Sequence, residues 1–130
     1  MSQIFTLQGI LGAPGLRNEV LYVVKSSNKE VIYVGMANKQ SVADRMTRHI
    51  GHYFTTTKPS CFSKLLFNNH PHYFNWKVEI FSRCEAEIIS GKKHDCLSCA
   101  ERGLYDFYRE QNNGVCPSGN ARRPNSKCTA

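Results

Sequence analysis

Two short apolar runs carry the first strong pattern in the chain. Val20–Lys25 (VLYVVK) and Val31–Gly35 (VIYVG) are rich in β-branched and aromatic residues, and the polar segment Ser26–Glu30 joins them. Runs of this kind divided by turn-forming residues predict a β-hairpin. Tyr22 and Tyr33 fall one to each strand. The nineteen residues ahead of the hairpin are punctuated by Gly and Pro (GILGAPG), which predicts a loosely structured lead-in over 1–19 before a single domain over 20–130.

After Ser41 the hydrophobic period becomes helical. Ser41 and Asp44 have capping-box spacing, and Val42, Met46, His49 and Ile50 then recur on one face. Pro59-Ser60 predicts the start of a second helix with Cys61, Phe62, Leu65 and Leu66 on its apolar side. NWKVEIF alternates, so Trp76, Val78 and Ile80 line one side of a third strand. CEAEII predicts a short helical turn before the breaker SGKKHD, and a last helix is expected from about Leu97 to Gln111. The tail NNGVCPSGNARRPNSKCTA is irregular and basic. The expected order is β-β-α-α-β-α. This is a small α/β (α+β) domain whose three-stranded, mostly antiparallel sheet is flanked by helices.

Two helices break the simple apolar-in, polar-out rule. On the last one, Leu97, Ala100, Leu104, Phe107 and Tyr108 form the apolar stripe, with Arg102, Asp106, Arg109 and Glu110 opposite. Glu101 falls inside that stripe. A carboxylate there is costly unless paired, hydrogen-bonded or bound to a metal, which makes it a candidate site residue. On the helix after Ser41, Arg45 and His49 are four residues apart and share a flank, with Arg48 a little further round. Guanidinium groups match phosphate oxygens, so this flank suits phosphate; a plain solvated basic face is the alternative.

Composition narrows the classes. A hydrophobic fraction of 41% over 130 residues fits one folded domain. No apolar run approaches the roughly 20 residues of a membrane helix, and the first residues lack a secretory-signal pattern, so a cytoplasmic protein without membrane association is expected. The net charge of +7 favours polyanionic partners, nucleic acid first. In a reducing compartment the six cysteines are not read as a disulfide framework. His94, Cys96 and Cys99 contain one Cys-x-x-Cys pair, which Cys84, Cys116 or Cys128 could complete as a structural Zn²⁺ site, with Cys116 preferred; free thiols are the default.

Taken together these motifs resemble the GIY-YIG nuclease superfamily. Val20-Leu21-Tyr22 corresponds to its first tripeptide, with valine in place of the glycine, and Tyr33-Val34-Gly35 to its second, eleven residues on. The resemblance implies that Arg45 in RMTRH is the family arginine, that His49 is a basic or histidine position of homing-type members, and that Glu101 is the family glutamate, with Glu87 as the alternative. Its late asparagine falls among Asn112, Asn113, Asn120 and Asn125; Asn120, after Gly119, is chosen. The resemblance further implies a Mg²⁺- or Mn²⁺-dependent endonuclease acting on double-stranded or branched DNA, with Glu101 holding the cation and one tyrosine deprotonating the attacking water. Gly35, Lys39, Arg48, Arg122 and Arg123 are the expected nucleic-acid contacts. A non-catalytic nucleic-acid-binding module that kept the fold, and a zinc-stabilised interaction domain, are the competing readings.

Overall fold

The hairpin forms as expected, as the centre and one edge of a larger sheet. In the computed structural model, which describes residues 3–12, 19–91, 93, 96–121 and 123–124, β2 spans Val20–Lys25 and β3 spans Val31–Ala37. Before them come β1, Gln3–Thr6, and α1, Leu7–Leu11. Next follow α2, Val42–Thr55, α3, Cys61–Asn68, a 3₁₀ turn at His72–Asn75, and β4, Lys77–Phe81. Finally α4 covers Arg83–Ser90 and α5 Leu97–Gln111.

The sheet has four strands in the order β1-β4-β2-β3, and every pairing is antiparallel. The three-stranded expectation is corrected by β1. That strand is only four residues long and half exposed, so it lacks an alternating signature; it exists because β4 offers it an edge, pairing Ile4 with Glu79 and Phe5 with Val78. The lead-in is corrected for the same reason, since Leu7 and Ile10 of α1 are buried in the core.

Helices cover both faces of the sheet. Tyr22, Val24, Val78 and Ile80 face α1, α2 and α3, packing on Leu7, Met46, Phe62 and Leu66. Leu21, Val23, Val34 and Phe81 face α4 and α5, packing on Ala86, Leu104 and Tyr105. β2 is thus buried on both sides, which explains why VLYVV is an unbroken apolar run. Serine caps start three helices: Ser41 on α2, Ser60 on α3 and Ser82 on α4, where Glu85 completes the reciprocal box. In α2 the Ser41 hydroxyl accepts from the Asp44 amide at 3.1 Å. Among the described residues, no helix is long and apolar enough to cross a membrane.

Candidate active site

The two hairpin tyrosines meet because of strand register. Tyr22 lies directly opposite Gly35, and its ring centroid is 6.0 Å from that of Tyr33. Gly35 is the reason both rings fit. A Cβ at this position would come within 2.5 Å of Tyr22 Cζ, 2.6 Å of its hydroxyl and 2.6 Å of Tyr33 Cε2. Only hydrogen leaves room. Gly35 is buried beneath the rings, where its role is steric.

Helix α2 brings the basic flank onto these rings. The Arg45 guanidinium lies close enough to the Tyr22 phenol to favour its phenolate, and Tyr22 Oη lies 3.4 Å from His49 Nε2. Among the described residues, the buried Arg45 Nε has no hydrogen-bond partner. Sequence patterning placed Phe62 on an apolar face but did not reveal its function as a wall of the site. Tyr33 stacks on its ring at 4.3 Å and 7°, while His49 meets both rings edge-on. The Ser63 hydroxyl donates to the His49 carbonyl at 2.6 Å, locking α3 against α2.

The remaining wall comes from far along the chain. β3 is the sheet edge, and its outward polar groups are satisfied by the segment after α5. Asn120 accepts from the Val34 amide at 2.9 Å and donates to the Val34 carbonyl at 3.0 Å, imitating one rung of a strand. The Gly119 amide donates to the Ile32 carbonyl at 2.6 Å, next to the irregularity where Val24 pairs with Tyr33 and Lys25 with Val31. A Cβ on Gly119 would lie 2.7 Å from that carbonyl, so the close approach excludes other residues. Arg123 fixes the segment through two bonds to Asp106, at 2.8 and 2.5 Å. That pairing engages a guanidinium expected to contact nucleic acid. Truncating Asn120 to alanine leaves both Val34 groups without partners; a loss of about 1–3 kcal/mol is expected. Thermal unfolding would register it as a Tm several degrees lower, and an unchanged Tm would contradict the clamp.

These elements enclose a cleft of about 430 Å³, lined by Tyr33, His49, Cys61, Glu101, Asn120 and Arg123 among others. Tyr22 and Arg45 stand behind its wall. Glu101 is half-buried beside the buried face of α5, which is Ser98, Ala100, Leu104 and Tyr105; Leu97, Phe107 and Tyr108 of the expected stripe are only partly buried. Five of the expected residues, Tyr22, Tyr33, Arg45, His49 and Glu101, are close enough to shift one another's charge, and Asn120 borders them.

Burial dominates the electrostatics. It pushes the Glu101 carboxyl up to about 7 against the pull of Arg45. It pushes His49 down to about 4, with Arg45 and His52 acting in the same direction, so the imidazole is neutral at neutral pH. Burial also raises Tyr22 well above the ordinary phenol value, and Tyr33 is raised by burial and then by Glu101. Arg45 pulls both phenols down, and burial outweighs it.

Glu101 fits a hard divalent cation. Its carboxylate is partly desolvated, faces the cleft and forms no ion pair with a described residue. One carboxylate with several retained waters suits Mg²⁺. Among the described residues no group of three His, Cys, Asp or Glu side chains could hold a metal, and the Cys116 thiol lies near enough to Tyr105 to raise its phenol after burial does. Cys96 caps α5, accepting from the Cys99 amide at 3.4 Å. His94, Cys128 and Arg122 lie outside the described residues. Lys39 and Arg48 are exposed, and the alternative Glu87 belongs to α4.

A hairpin carrying paired tyrosines, a following helix with arginine and histidine, and a distant glutamate are thus brought together around one cleft. The chain belongs to the GIY-YIG superfamily: the model of the GIY-YIG catalytic domain matches residues 6–71. Comparison with characterised proteins gave no match, and neither did comparison with solved structures. The matched region holds β2, β3, α2 and α3, and thus Tyr22, Tyr33, Arg45 and His49; Glu101 and Asn120 lie beyond it.

Proposed function

We propose that the protein is an endonuclease that hydrolyses DNA phosphodiester bonds with a Mg²⁺ or Mn²⁺ ion held by Glu101. The observation that carries this reading is the meeting of Tyr33, His49 and Glu101 in one cleft, with Arg45 behind them. When bound, the cation supplies Lewis-acid charge and steadies the leaving oxygen. Arg45, behind Tyr33, acts through its positive charge, which stabilises negative charge developing on a phosphate in the cleft. Tyr33 lines the cleft and Tyr22 does not, so Tyr33 is the tyrosine that meets the attacking water.

Tyr33 takes the proton of that water through its phenolate form. Burial and Glu101 oppose the phenolate, while the nearby Arg45 guanidinium and Tyr22 hydroxyl favour it. Neutral His49, at 3.4 Å from the Tyr22 hydroxyl, can accept a proton passed along the Tyr33–Tyr22 pair. Because the Tyr33 phenol is raised above 10, its phenolate fraction grows about tenfold per pH unit throughout the accessible range. With chemistry rate-limiting and cation saturating, cleavage is expected to rise with that slope from pH 7.5 to 9.5, and Tyr33→Phe should remove the rise. A flat wild-type profile would rule out the titrating tyrosine.

The decisive assay is incubation of supercoiled plasmid with Mg²⁺. Wild type should nick or linearise it, and Arg45→Ala should cut about 10²–10³-fold more slowly, the cost typical of losing one charge-stabilising donor. The net charge of +7 is equally suited to a module that binds without cutting. Tight binding with no cleavage under any divalent cation would establish that alternative.

A further inference from the structure

The face formed by the C-terminal end of α2 and the end of α3 has no part in the chemistry above, yet it is built from aromatic rings left in solvent. Tyr53 stacks on Phe67 at 3.9 Å and 8°, and Phe54 meets the same ring edge-on at 5.8 Å. Phe54 is 73% exposed and Phe67 43%. Beneath them lies an apolar hollow of about 360 Å³, lined by Ile50, Phe54, Leu66, Phe67, His70 and Tyr73. Leaving such rings in water is unfavourable, so an exposed cluster of this size marks a contact surface.

Charge selects the occupant. Residues 45–78 contain no aspartate or glutamate, while Arg45, Arg48, Lys58, Lys64 and Lys77 are all within them. Lys58 and Lys64 are exposed in or beside the stacked rings' own elements. Flat rings among cations and without carboxylates form the standard surface for unpaired bases, whose faces stack while lysines hold the phosphates. A second copy pairing face to face would set these cations against one another. The surface is also continuous with the cleft. Arg45, His49 and Tyr53 follow at four-residue steps on one flank of α2, each step rising about 6 Å. A strand whose phosphate sits in the cleft at His49 therefore reaches the aromatic face within a few nucleotides.

The geometry points to a platform at Tyr53, Phe54 and Phe67 that stacks unpaired bases of the substrate strand, making the preferred DNA one with a single-stranded segment beside the cleaved bond. This rests on the proposed nuclease reading and names the substrate class for it. The test is fluorescence anisotropy at one fixed salt concentration, comparing a blunt duplex with the same duplex carrying a single-stranded tail. Both are bound to Glu101→Gln protein so that nothing is cut. The tailed DNA should bind at least tenfold more tightly, and Phe54→Ala should remove about tenfold of its affinity while leaving the blunt duplex unchanged. Phe54→Trp should keep the preference, and Phe54→Leu, apolar but not flat, should lose it. Abasic nucleotides in the tail should lose it as well.

Equal affinity for the two DNAs, or a tail preference indifferent to Phe54 and Phe67, overturns the proposal. So does a preference restored by leucine. A dimer seen by sedimentation and abolished by Phe54→Ala, with DNA affinity unaltered, assigns the face to a second copy and overturns it too. Plasmid cleavage without a Phe54-dependent tail preference defeats this inference alone. Tail preference without any cleavage preserves it and defeats the enzyme reading.

Discussion

Gly35→Ala is expected to lower Tm by about 5–15 °C and to reduce cleavage at least 10²-fold, although it adds a single methyl group. That methyl would sit 2.5–2.6 Å from two tyrosine rings. Neither ring can move away freely. Tyr22 is fully buried between strand and helices, and Tyr33 is stacked against Phe62. Overpacking of this kind typically costs about 1–3 kcal/mol, and displacing a reacting group by about 1 Å costs about 10² in rate. Gly51→Ala is the matched control, because a Cβ there meets nothing within 4 Å. In the interior of α2 it should stabilise the protein by about 0.5–1 kcal/mol through helix propensity. Differential scanning calorimetry with a plasmid assay checks both; a Gly35→Ala protein with wild-type Tm and rate would remove the steric argument.

Glu101→Gln is expected to abolish cleavage, by at least about 10³-fold if it holds the only protein-bound cation, and yet to raise stability at alkaline pH. The Glu101 carboxyl is raised from 4.5 to about 7, so the folded state holds its proton more tightly than the unfolded state. Its contribution to stability is fully present below pH 4.5 and is lost as pH rises through about 7. Glutamine imitates the protonated form at every pH. The metal-free variant should therefore melt above wild type at pH 8 and close to it at pH 5. Cation binding needs the carboxylate, so added Mg²⁺ should raise the wild-type Tm at pH 8 much more than at pH 5, and should leave the variant unmoved. Unimpaired cleavage by Glu101→Gln, or a lower Tm at pH 8, would show the assignment to be wrong.

The local half of the site was legible. Tyr22, Tyr33, Arg45 and His49 lie within 28 residues, on a hairpin and the helix that follows it. Their relative placement follows from strand alternation, an eleven-residue tyrosine spacing and helical periodicity, all of which are short-range. Glu101 was visible as a charge on an apolar stripe, but its neighbours were not; choosing it over Glu87 depends on α5 reaching the β3 edge. Asn120 was one of four late asparagines, and nothing local distinguishes it. What singles it out is an edge strand 86 residues earlier with two polar groups to satisfy. β1 escaped detection for a related reason: four half-exposed residues carry too little pattern, and only the free edge of β4 makes them a strand.

The sequence by itself therefore determined most of the elements, the α+β class and the family, and named the candidate residues, because periodicity and spacing are properties of the chain. Only the tertiary structure decided how those residues behave. Long-range packing buries Glu101, His49 and the tyrosines and so sets the direction in which each is shifted. It also assigns Gly35 the space beneath two rings, sets Cys116 beside Tyr105, and leaves Phe54 and Phe67 in solvent. Desolvation and steric fit depend on every atom that surrounds a group, and most of those atoms come from distant parts of the sequence.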